Sequence, residues 1–292
     1  MPHKPNDAVQ TRQRHTASRI SSYYEQSAVD YSFLWSRHHL HFGYWDENTT
    51  SHAASLLNMN RQVAARANLH WLDRVLDAGC GVGGFAVWMA LHYGVDVHGV
   101  TIVPEQIARA RQHALASGVA HAVSFHLRDY TATGFRAGSF QAVVAIESIC
   151  HADDKRAFLR EAYRLLVPGG RLVVCDGFRR RRTTGEDELL MRSWLDGWAV
   201  PDLTTSEEFT TWAREAGFQD VKLEDIERYV RPSHYRLHRM ARLAYLPALA
   251  LEKLGIRSAV QTGNVRAARD QWFALERDLW FQGIFSATKK LA

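Results

Sequence analysis

Residues 75–85 read V-L-D-A-G-C-G-V-G-G-F. An apolar run that ends in Asp77 is followed by four glycines and then by a long apolar segment, the glycines being Gly79, Gly81, Gly83 and Gly84. This order predicts a strand, a tight turn and a helix, which together form a nucleotide-binding corner. Glycines let the backbone turn sharply and approach a ligand, and the start of the helix presents unpaired N–H groups to it.

Asp77 narrows the choice of ligand. The glycines at 79, 81 and 84 satisfy the pattern G-x-G-x-x-G, which dinucleotide-binding enzymes share. A carboxylate two residues before the first glycine favours a cationic ligand and would repel a pyrophosphate. The corner therefore favours a positively charged nucleotide derivative over NAD.

The composition is that of an ordinary folded protein. The 292 residues are 46% hydrophobic and 23% charged, which suits one large α/β domain with additions and excludes a disordered chain. No run of 18 apolar residues occurs and the first residues are polar, so a cytoplasmic location is expected. Cys80, Cys150 and Cys175 lack C-x-x-C spacing and are expected to be reduced thiols.

Strand and helix patterns alternate after the glycine stretch. Strands are predicted at Arg74–Asp77, Val95–Val100, Val123–Leu127, Phe140–Ile146, Arg171–Asp176 and Val221–Asp225, with helices at Gly83–Tyr93, Pro104–Ser117, Lys155–Leu166 and Ser206–Ala216. Pro168, Gly169 and Gly170 are expected to stop one helix and turn the chain into the next strand. The alternation predicts an α/β fold with a doubly wound, mostly parallel sheet.

Additions are predicted on both sides of this core. Residues 1–70 are expected to form an N-terminal helical cap and residues 71–230 the nucleotide-binding core, with a helix at Ser51–Leu69. Residues 231–292 are expected to form a helical lid and a final edge strand. The lid would hold helices at His234–Leu254, broken by Pro247, and at Val265–Trp280, before a seventh strand at Ile284–Lys289.

Several motifs in this order resemble those of class I S-adenosylmethionine-dependent methyltransferases. They are the glycine stretch, Phe140–Glu147 (F-Q-A-V-V-A-I-E) and Leu165–Val174 (L-L-V-P-G-G-R-L-V-V), and the resemblance covers about residues 74–225. Thr101 stands where many such enzymes carry an acid. In this the chain is similar to the subgroup around tocopherol methyltransferase, cyclopropane fatty acid synthase and geranyl diphosphate C-methyltransferase. The resemblance implies a Rossmann-like sheet and S-adenosylmethionine as cofactor.

The resemblance also implies a set of cofactor-binding residues. It assigns Asp77, Gly79, Gly81 and Gly83 to the glycine loop, Thr101 and Gln106 to the ribose, Asp129 to the adenine amino group, and Tyr130 to the face of the ring. Asp129 could instead cap a turn. The segment Arg37–Trp45 resembles an H-x-G-Y-W loop over the methionine end of the cofactor, with Tyr44 lining the site. Its three histidines lack accompanying acids or cysteines, so no metal is expected.

Catalytic candidates follow the fourth strand, in I-E-S-I-C-H. The resemblance implies that Glu147 faces the acceptor as a general base or as a carboxylate that stabilises a cation. Glu147 could instead only hydrogen-bond the cofactor or a backbone loop. His151 is the other candidate base, since its intrinsic pKa is near neutral, although it could equally be a surface histidine. Tyr24, in the N-terminal helix, would line the same site.

The acceptor is expected to be a small, apolar molecule bound under the lid, such as an isoprenoid or terpenoid, a prenyl diphosphate or a polyketide-like product. Part of the net charge of +5 lies in Arg179–Arg182 and around Arg231 and Arg236, which could clamp an anionic acceptor or lie in solvent. O- or N-methylation of a secondary metabolite or sugar is the alternative. The lid is preferred to a membrane-surface helix.

Other classes stay open at this point. A NAD-dependent oxidoreductase and a non-catalytic nucleotide-binding protein could use the same glycine loop. A nucleic-acid partner is not expected, because no N-P-P-Y motif occurs and the basic residues do not alternate with aromatic ones. The sequence leaves a homo-oligomer undecided.

Overall fold

The computed structural model describes residues 18–27, 30 and 35–291. At its centre lies one seven-stranded sheet with the strand order β3-β2-β1-β4-β5-β7-β6. The strands are β1 (Arg74–Ala78), β2 (Asp96–Thr101), β3 (Val123–Leu127), β4 (Phe140–Ile146), β5 (Leu166–Arg179), β6 (Phe218–Asp225) and β7 (Trp280–Lys289). Strands β1 to β5 are parallel, and β7 runs antiparallel to β5 and β6. The predicted doubly wound, mostly parallel α/β sheet is confirmed.

Helices cover both faces of this sheet. They are α1 (residues 18–27), α2 (His52–Ala67), α3 (Gly84–Tyr93), α4 (Pro104–Ala116), α5 (Lys155–Leu165), α6 (Gly185–Gly197), α7 (Ser206–Glu215), α8 (Glu227–Lys253) and α9 (Ala259–Glu276). Two buried clusters form the main core, one with α2, α3 and α4 and the other with α5 and α7. Because the central strands are buried on both faces, β4 is apolar except for Gln141.

The turn between β1 and α3 has the conformation that its glycines permit. Gly79 and Gly83 have φ values of 88° and 80°, in the left-handed region that favours glycine. A Cβ on Gly79 would lie 2.3 Å from Cβ of Ser148, so the β4 end packs directly on this turn. The N–H groups of Gly79 and Cys80 both donate to the carbonyl of Val100 on β2. The glycine stretch is thereby fixed at the carboxyl edge of the sheet.

Three predictions about local structure are wrong. The helix before β5 ends at Leu165, and Pro168–Gly170 lie within β5 at a register shift rather than at the helix end. Helix α8 continues through Pro232 and Pro247, so Pro247 does not break it. The last strand starts at Trp280, where the sequence pattern predicts a helix, and it lies between β5 and β6 rather than at the predicted edge position.

Helix α6 was not predicted, and it belongs to the lid. It packs against α9, around a cluster that contains Trp194, Leu195, Ala274 and Trp280. Helix α8 packs along the other side of α9. Three helices therefore cover the carboxyl edge of the sheet beside β7.

The N-terminal helix is fastened to the start of α9. The Tyr23 hydroxyl donates to Oδ1 of Asn264 at 2.9 Å. Arg257 pairs with Asp30, with Nη2 of the arginine 2.5 Å from Oδ2 of the aspartate. These contacts hold Tyr23 of α1 and Asp30 against the start of α9.

Candidate active site

A cavity of about 580 Å³ opens at the carboxyl edge of the sheet. Its floor is the glycine turn with the ends of β1, β2 and β4, and its walls come from α1, the segment 35–45 and the lid helices. In doubly wound sheets this edge is where ligands bind, because the loops there diverge around the switch in strand order. The predicted catalytic residues Tyr24, Glu147 and His151 all line this cavity.

Asp77 forms the acidic end of the cavity floor. It is buried, and its Oδ2 atom has no hydrogen-bond partner within the described part of the chain. Burial raises its pKa to about 7, although the backbone N–H of Ala86 partly offsets this. An unsatisfied buried carboxylate is costly, so this position suits a ligand that brings positive charge.

Thr101, at the end of β2, and Gln106, in α4, are in contact. The Thr101 hydroxyl donates to Oε1 of Gln106 at 2.7 Å, and both buried side chains line the cavity. This bond occupies the carbonyl oxygen of Gln106 and leaves its NH₂ group to donate. Tyr130 also lines the cavity and donates its hydroxyl to the carbonyl of Ser148 at 2.9 Å.

Three predicted cofactor residues do not line the cavity. Asp129 is exposed, and its Oδ1 accepts from the N–H and the hydroxyl of Thr131, which is the turn-capping alternative. The Tyr44 ring stacks on Tyr229 at 4.4 Å between centroids. Gly83 packs against Phe125, so its lack of a Cβ serves the approach of β3 rather than of a ligand.

Glu147 is held by the segment that precedes α2. Its Oε1 accepts from the backbone N–H of Phe42 at 2.9 Å and from Nε2 of Gln282 at 3.1 Å. Burial raises its pKa well above the usual range for glutamate, and nearby Asp176 adds to this. The residue has a left-handed backbone with φ of 48°, a strained conformation of the kind found at functional sites.

His151 and Tyr24 form a hydrogen-bonded pair. The Tyr24 oxygen lies 3.1 Å from Nε2 of His151, and Nδ1 of the same ring lies 3.4 Å from the carbonyl of Ala199. The carbonyl can only accept, so Nδ1 carries the proton and Nε2 accepts from Tyr24. Burial lowers the pKa of His151 to about 4, and the ring is therefore neutral at pH 7.

The histidines of segment 35–45 have structural partners. His41 is buried and bonds Oδ1 of Asn60, and His38 stacks on His113 with 3.8 Å between ring centroids. The carbonyl oxygen of His38 would lie 2.0 Å from a Cβ on Gly84. No group of three potential metal ligands occurs in the described residues. The segment thus packs directly on the start of α3.

The other half of the cavity is mostly apolar. The lid supplies its walls, including Trp194, Trp198, Leu237, Met240, Val265 and Trp280. Four acidic residues line the cavity as a whole, namely Asp30, Asp77, Glu147 and Asp176. No lysine or arginine is among the described residues that line it. The cavity therefore suits neutral or cationic molecules and offers no counter-ion to an anion.

The arginine cluster does not reach the cavity, so of the two alternatives for Arg179–Arg182 the anion clamp is wrong. Arg179 is 2% exposed and pairs with Glu188 at 2.7 Å and Asp202 at 2.8 Å. The next three arginines pair with carboxylates on neighbouring segments, mainly Asp225, Asp187 and Glu208. Arg231 pairs with Glu276. The guanidinium groups of residues 179–182 tie the end of β5 to α6, α7 and β6, and that of Arg231 joins α8 to α9.

Sequence reasoning missed Asp176 and Gln282. Asp176 is buried on β5 and accepts from the N–H groups of Cys150 and Gly177 at 2.9 and 2.8 Å. It ended a predicted strand, as Asp77 did, and that parallel could have identified it. Gln282 belongs to β7, whose position beside β5 is a tertiary fact that no local pattern carries.

Together these features define a class I S-adenosylmethionine-dependent methyltransferase. The seven-stranded sheet has the antiparallel β7 inserted beside β5, and the cavity floor combines a glycine turn with the unsatisfied Asp77. The residues fit the cofactor, because Asp77 can balance its positive charge while Thr101 and Gln106 offer hydrogen bonds. S-adenosylmethionine is therefore the cofactor of the protein.

Comparison with known proteins supports this. Residues 76–174 match the family model of the methyltransferase domain. The chain is 32% identical over 218 residues to 27-O-demethylrifamycin SV methyltransferase of Amycolatopsis mediterranei, covering 75% of this chain and 80% of the relative. It is 25% identical over 257 residues to the chloroplastic tocopherol O-methyltransferase of Arabidopsis thaliana, covering 82% and 73%. The chain belongs to this methyltransferase family.

A solved structure shows the same fold. The cyclopropane synthase of Mycobacterium tuberculosis superposes with a TM-score of 0.79 at 14% identity, over 94% of this chain and 98% of the other. The similarity extends beyond the sheet to nearly the whole chain. The additions at both ends are therefore part of the shared architecture.

Proposed function

We propose that the protein methylates a hydroxyl group on a neutral, lipophilic natural product of the polyketide or terpenoid type. One observation carries this proposal: the cavity joins apolar walls to the neutral pair of His151 and Tyr24 and has no lysine or arginine among its described lining residues. Two of the relatives support an oxygen acceptor, since both are named for O-methylation.

S-adenosylmethionine supplies an electrophilic methyl group on a positively charged sulfur. Asp77 would bind this cation end, and its ionisation at neutral pH would be favoured by the ligand charge. Thr101, Gln106 and Tyr130 would position the nucleoside part. The protein residues then have two further tasks, which are to align the acceptor and to remove one proton.

His151 and Tyr24 are suited to proton removal. Tyr24 donates to Nε2 of His151, so an acceptor hydroxyl can give its proton to the Tyr24 oxygen while the tyrosine proton passes to the imidazole. The acceptor oxygen gains the methyl group, and His151 ends the step protonated. The neutral state of His151 before reaction makes this transfer available at pH 7.

Glu147 has a different role in this proposal. Burial raises its pKa and so favours the protonated carboxyl, and its Oε1 already accepts two hydrogen bonds. A neutral carboxyl is a poor base. Glu147 would instead join the segment 35–45 to β4 and β7 and shape the cavity between cofactor and acceptor.

An acceptor screen tests the proposal. Isotopically labelled S-adenosylmethionine would be offered with lipophilic phenols and alcohols, amines, sugars, and prenyl chains, and products would be read by mass and by the position of the methyl group. We expect O-methylation of a lipophilic hydroxyl compound. Methylation confined to carbon or nitrogen, or to charged acceptors, would contradict the proposal.

A further inference from the structure

We propose that the end of the lid is a docking surface for a lipid bilayer with anionic headgroups. This surface, called the lid tip, consists of the C-terminal half of α8 and the turn after it. Its apolar members are Leu243, Leu246, Ala250, Leu251, Leu254 and Ile256. The inference goes beyond methyl transfer, because it concerns where the enzyme acts.

The lid tip exposes large apolar side chains on one face of a helix. Leu243, Leu246 and Leu254 are 81%, 74% and 70% exposed, and Ile256 is 71% exposed. Positions 243, 246, 250 and 254 are three or four residues apart, so they form a single stripe along α8. Scattered exposed leucines are ordinary on proteins, whereas a continuous stripe marks a contact surface.

The opposite face of the same helix segment is buried against α9. Ala241 and Ala248 are buried against Val265 and Ala268 of α9. The second half of α8 is therefore apolar on both sides, one facing the protein and one facing solvent. A helix with this pattern gains most by placing its free face in an apolar medium.

The charges around the stripe are basic. Arg239, Arg242 and Lys253 are exposed beside it, while the nearby acid, Glu252, is half-buried. Within the described residues these three cations have no ion-pair partner, in contrast to Arg179 and its neighbours. Exposed apolar side chains flanked by unpaired cations are the pattern of a helix that lies on an anionic membrane surface.

The lid tip is continuous with the cavity. Leu243 lines the cavity although it is largely exposed, and Met240 and Ala244 line it on the same helix. The apolar wall thus extends from the acceptor half of the cavity to the surface. A lipophilic molecule dissolved in a bilayer would reach the cavity along this wall without crossing water. No described helix is long and apolar enough to cross a membrane, so the contact would be peripheral.

Vesicle sedimentation of the full chain tests the inference. Vesicles of equal parts phosphatidylglycerol and phosphatidylcholine would be compared with pure phosphatidylcholine vesicles. We expect binding to the anionic vesicles, and an affinity lower by about tenfold or more for the L246E/L254E variant. The L91E/L115E variant is the matched control, since it places two charges on exposed leucines of α3 and α4. It should bind like the native chain.

A second variant separates the charge from the apolar stripe. R239Q/R242Q/K253Q should lose the preference for anionic vesicles while keeping its thermal unfolding temperature. Absence of vesicle binding, or equal losses in L246E/L254E and its control, would overturn the inference. So would a concentration-dependent dimer that L246E/L254E dissociates, because the lid tip would then bind a second copy. Vesicle binding needs no turnover, so its failure leaves the proposed methyl transfer standing.

Discussion

At the scale of single residues, burial shifts the pKa values of Asp77 and His151 in opposite directions. It raises the pKa of Asp77 to about 7 and lowers that of His151 to about 4, because both groups lose the water that stabilises their charged forms. Burial therefore favours the neutral form of both side chains in the cavity without cofactor. When a cationic cofactor binds beside Asp77, its positive charge would favour the ionised form of this carboxyl.

Cofactor affinity should consequently depend on pH through Asp77. A cation binds the ionised carboxylate, so the Kd for S-adenosylmethionine should fall by about tenfold per pH unit as the pH rises toward 7, then level off. Isothermal titration between pH 5.5 and 8 measures this. Asp77→Asn removes the titrating group, and its Kd should be weaker and nearly flat over the same range. A native affinity that is equally flat would contradict the assignment.

Catalysis should depend on His151 and Tyr24 as one unit. His151→Gln should lower kcat by about a hundredfold or more, the usual contribution of a positioned base. Tyr24→Phe should lower it comparably, and the double variant should be no worse than either single one, since both break the same proton path. His126→Gln, outside the cavity, is the control. A His151→Gln enzyme within threefold of the native kcat would exclude the pair as the base.

Many of the cavity residues could be identified from the sequence, because their position along the chain, at the end of a strand, is enough to place them at the cavity. Asp77, Thr101, Glu147 and His151 lie at or just after strand ends, so their placement follows from the sheet. Tyr44 could not be placed this way, because its packing on Tyr229 depends on how the segment 35–45 meets α8.

At the scale of elements, β1, β3 and β4 were predicted within a residue. Short apolar stretches specify the buried strands β1 and β4, and the alternation V-S-F-H-L specifies the half-exposed edge strand β3. Helix α8 was predicted to break at Pro247. Proline removes one backbone donor, but packing of Ala241 and Ala248 against α9 holds both halves in line. Helix α6 carries a recognisable start in its acidic first turn, Glu186–Glu188, which the sequence interpretation did not use.

The contact between segment 35–45 and α3 gives a stability prediction. A Cβ at Gly84 would meet the His38 carbonyl at 2.0 Å, so Gly84→Ala should cost about 1–3 kcal/mol of unfolding free energy and weaken cofactor binding. Gly263 in α9 is the matched control, since its nearest neighbour would be 4.0 Å away. Gly263→Ala should stabilise by about 0.5–1 kcal/mol. Urea unfolding of both variants tests the contrast, and equal effects would refute it.

The arginine cluster gives a second prediction at this scale. Arg179→Gln leaves Glu188 and Asp202 without their buried partner, and should cost about 3 kcal/mol of unfolding free energy. The acceptor KM should not change. Arg181→Gln, on an exposed pair, should cost less than about 1 kcal/mol. A raised acceptor KM with unchanged stability in Arg179→Gln would restore the anion clamp.

At the scale of the whole molecule, the sheet supplies the cofactor half of the cavity and the additions supply the acceptor half. Helix α1, the segment 35–45 and the lid meet only in the folded chain, through contacts such as Arg257 with Asp30. The sequence predicted a lid, but it did not predict which charged side chains of the lid would lie outside the cavity. The absence of lysine and arginine from the described cavity lining is a tertiary property.

The most direct test of the proposed function compares a neutral acceptor with an anionic derivative of the same molecule. Both acceptors would derive from one lipophilic diol with two equivalent hydroxyl groups. The kcat/KM of the native enzyme would be measured for the diol and for its mono-diphosphate ester, which keeps one free hydroxyl. We expect O-methylation of the neutral compound, with kcat/KM at least about a hundredfold above that of the diphosphate, because the described lining has carboxylates but no lysine or arginine to balance an anion. An equal or higher value for the diphosphate would contradict the proposal.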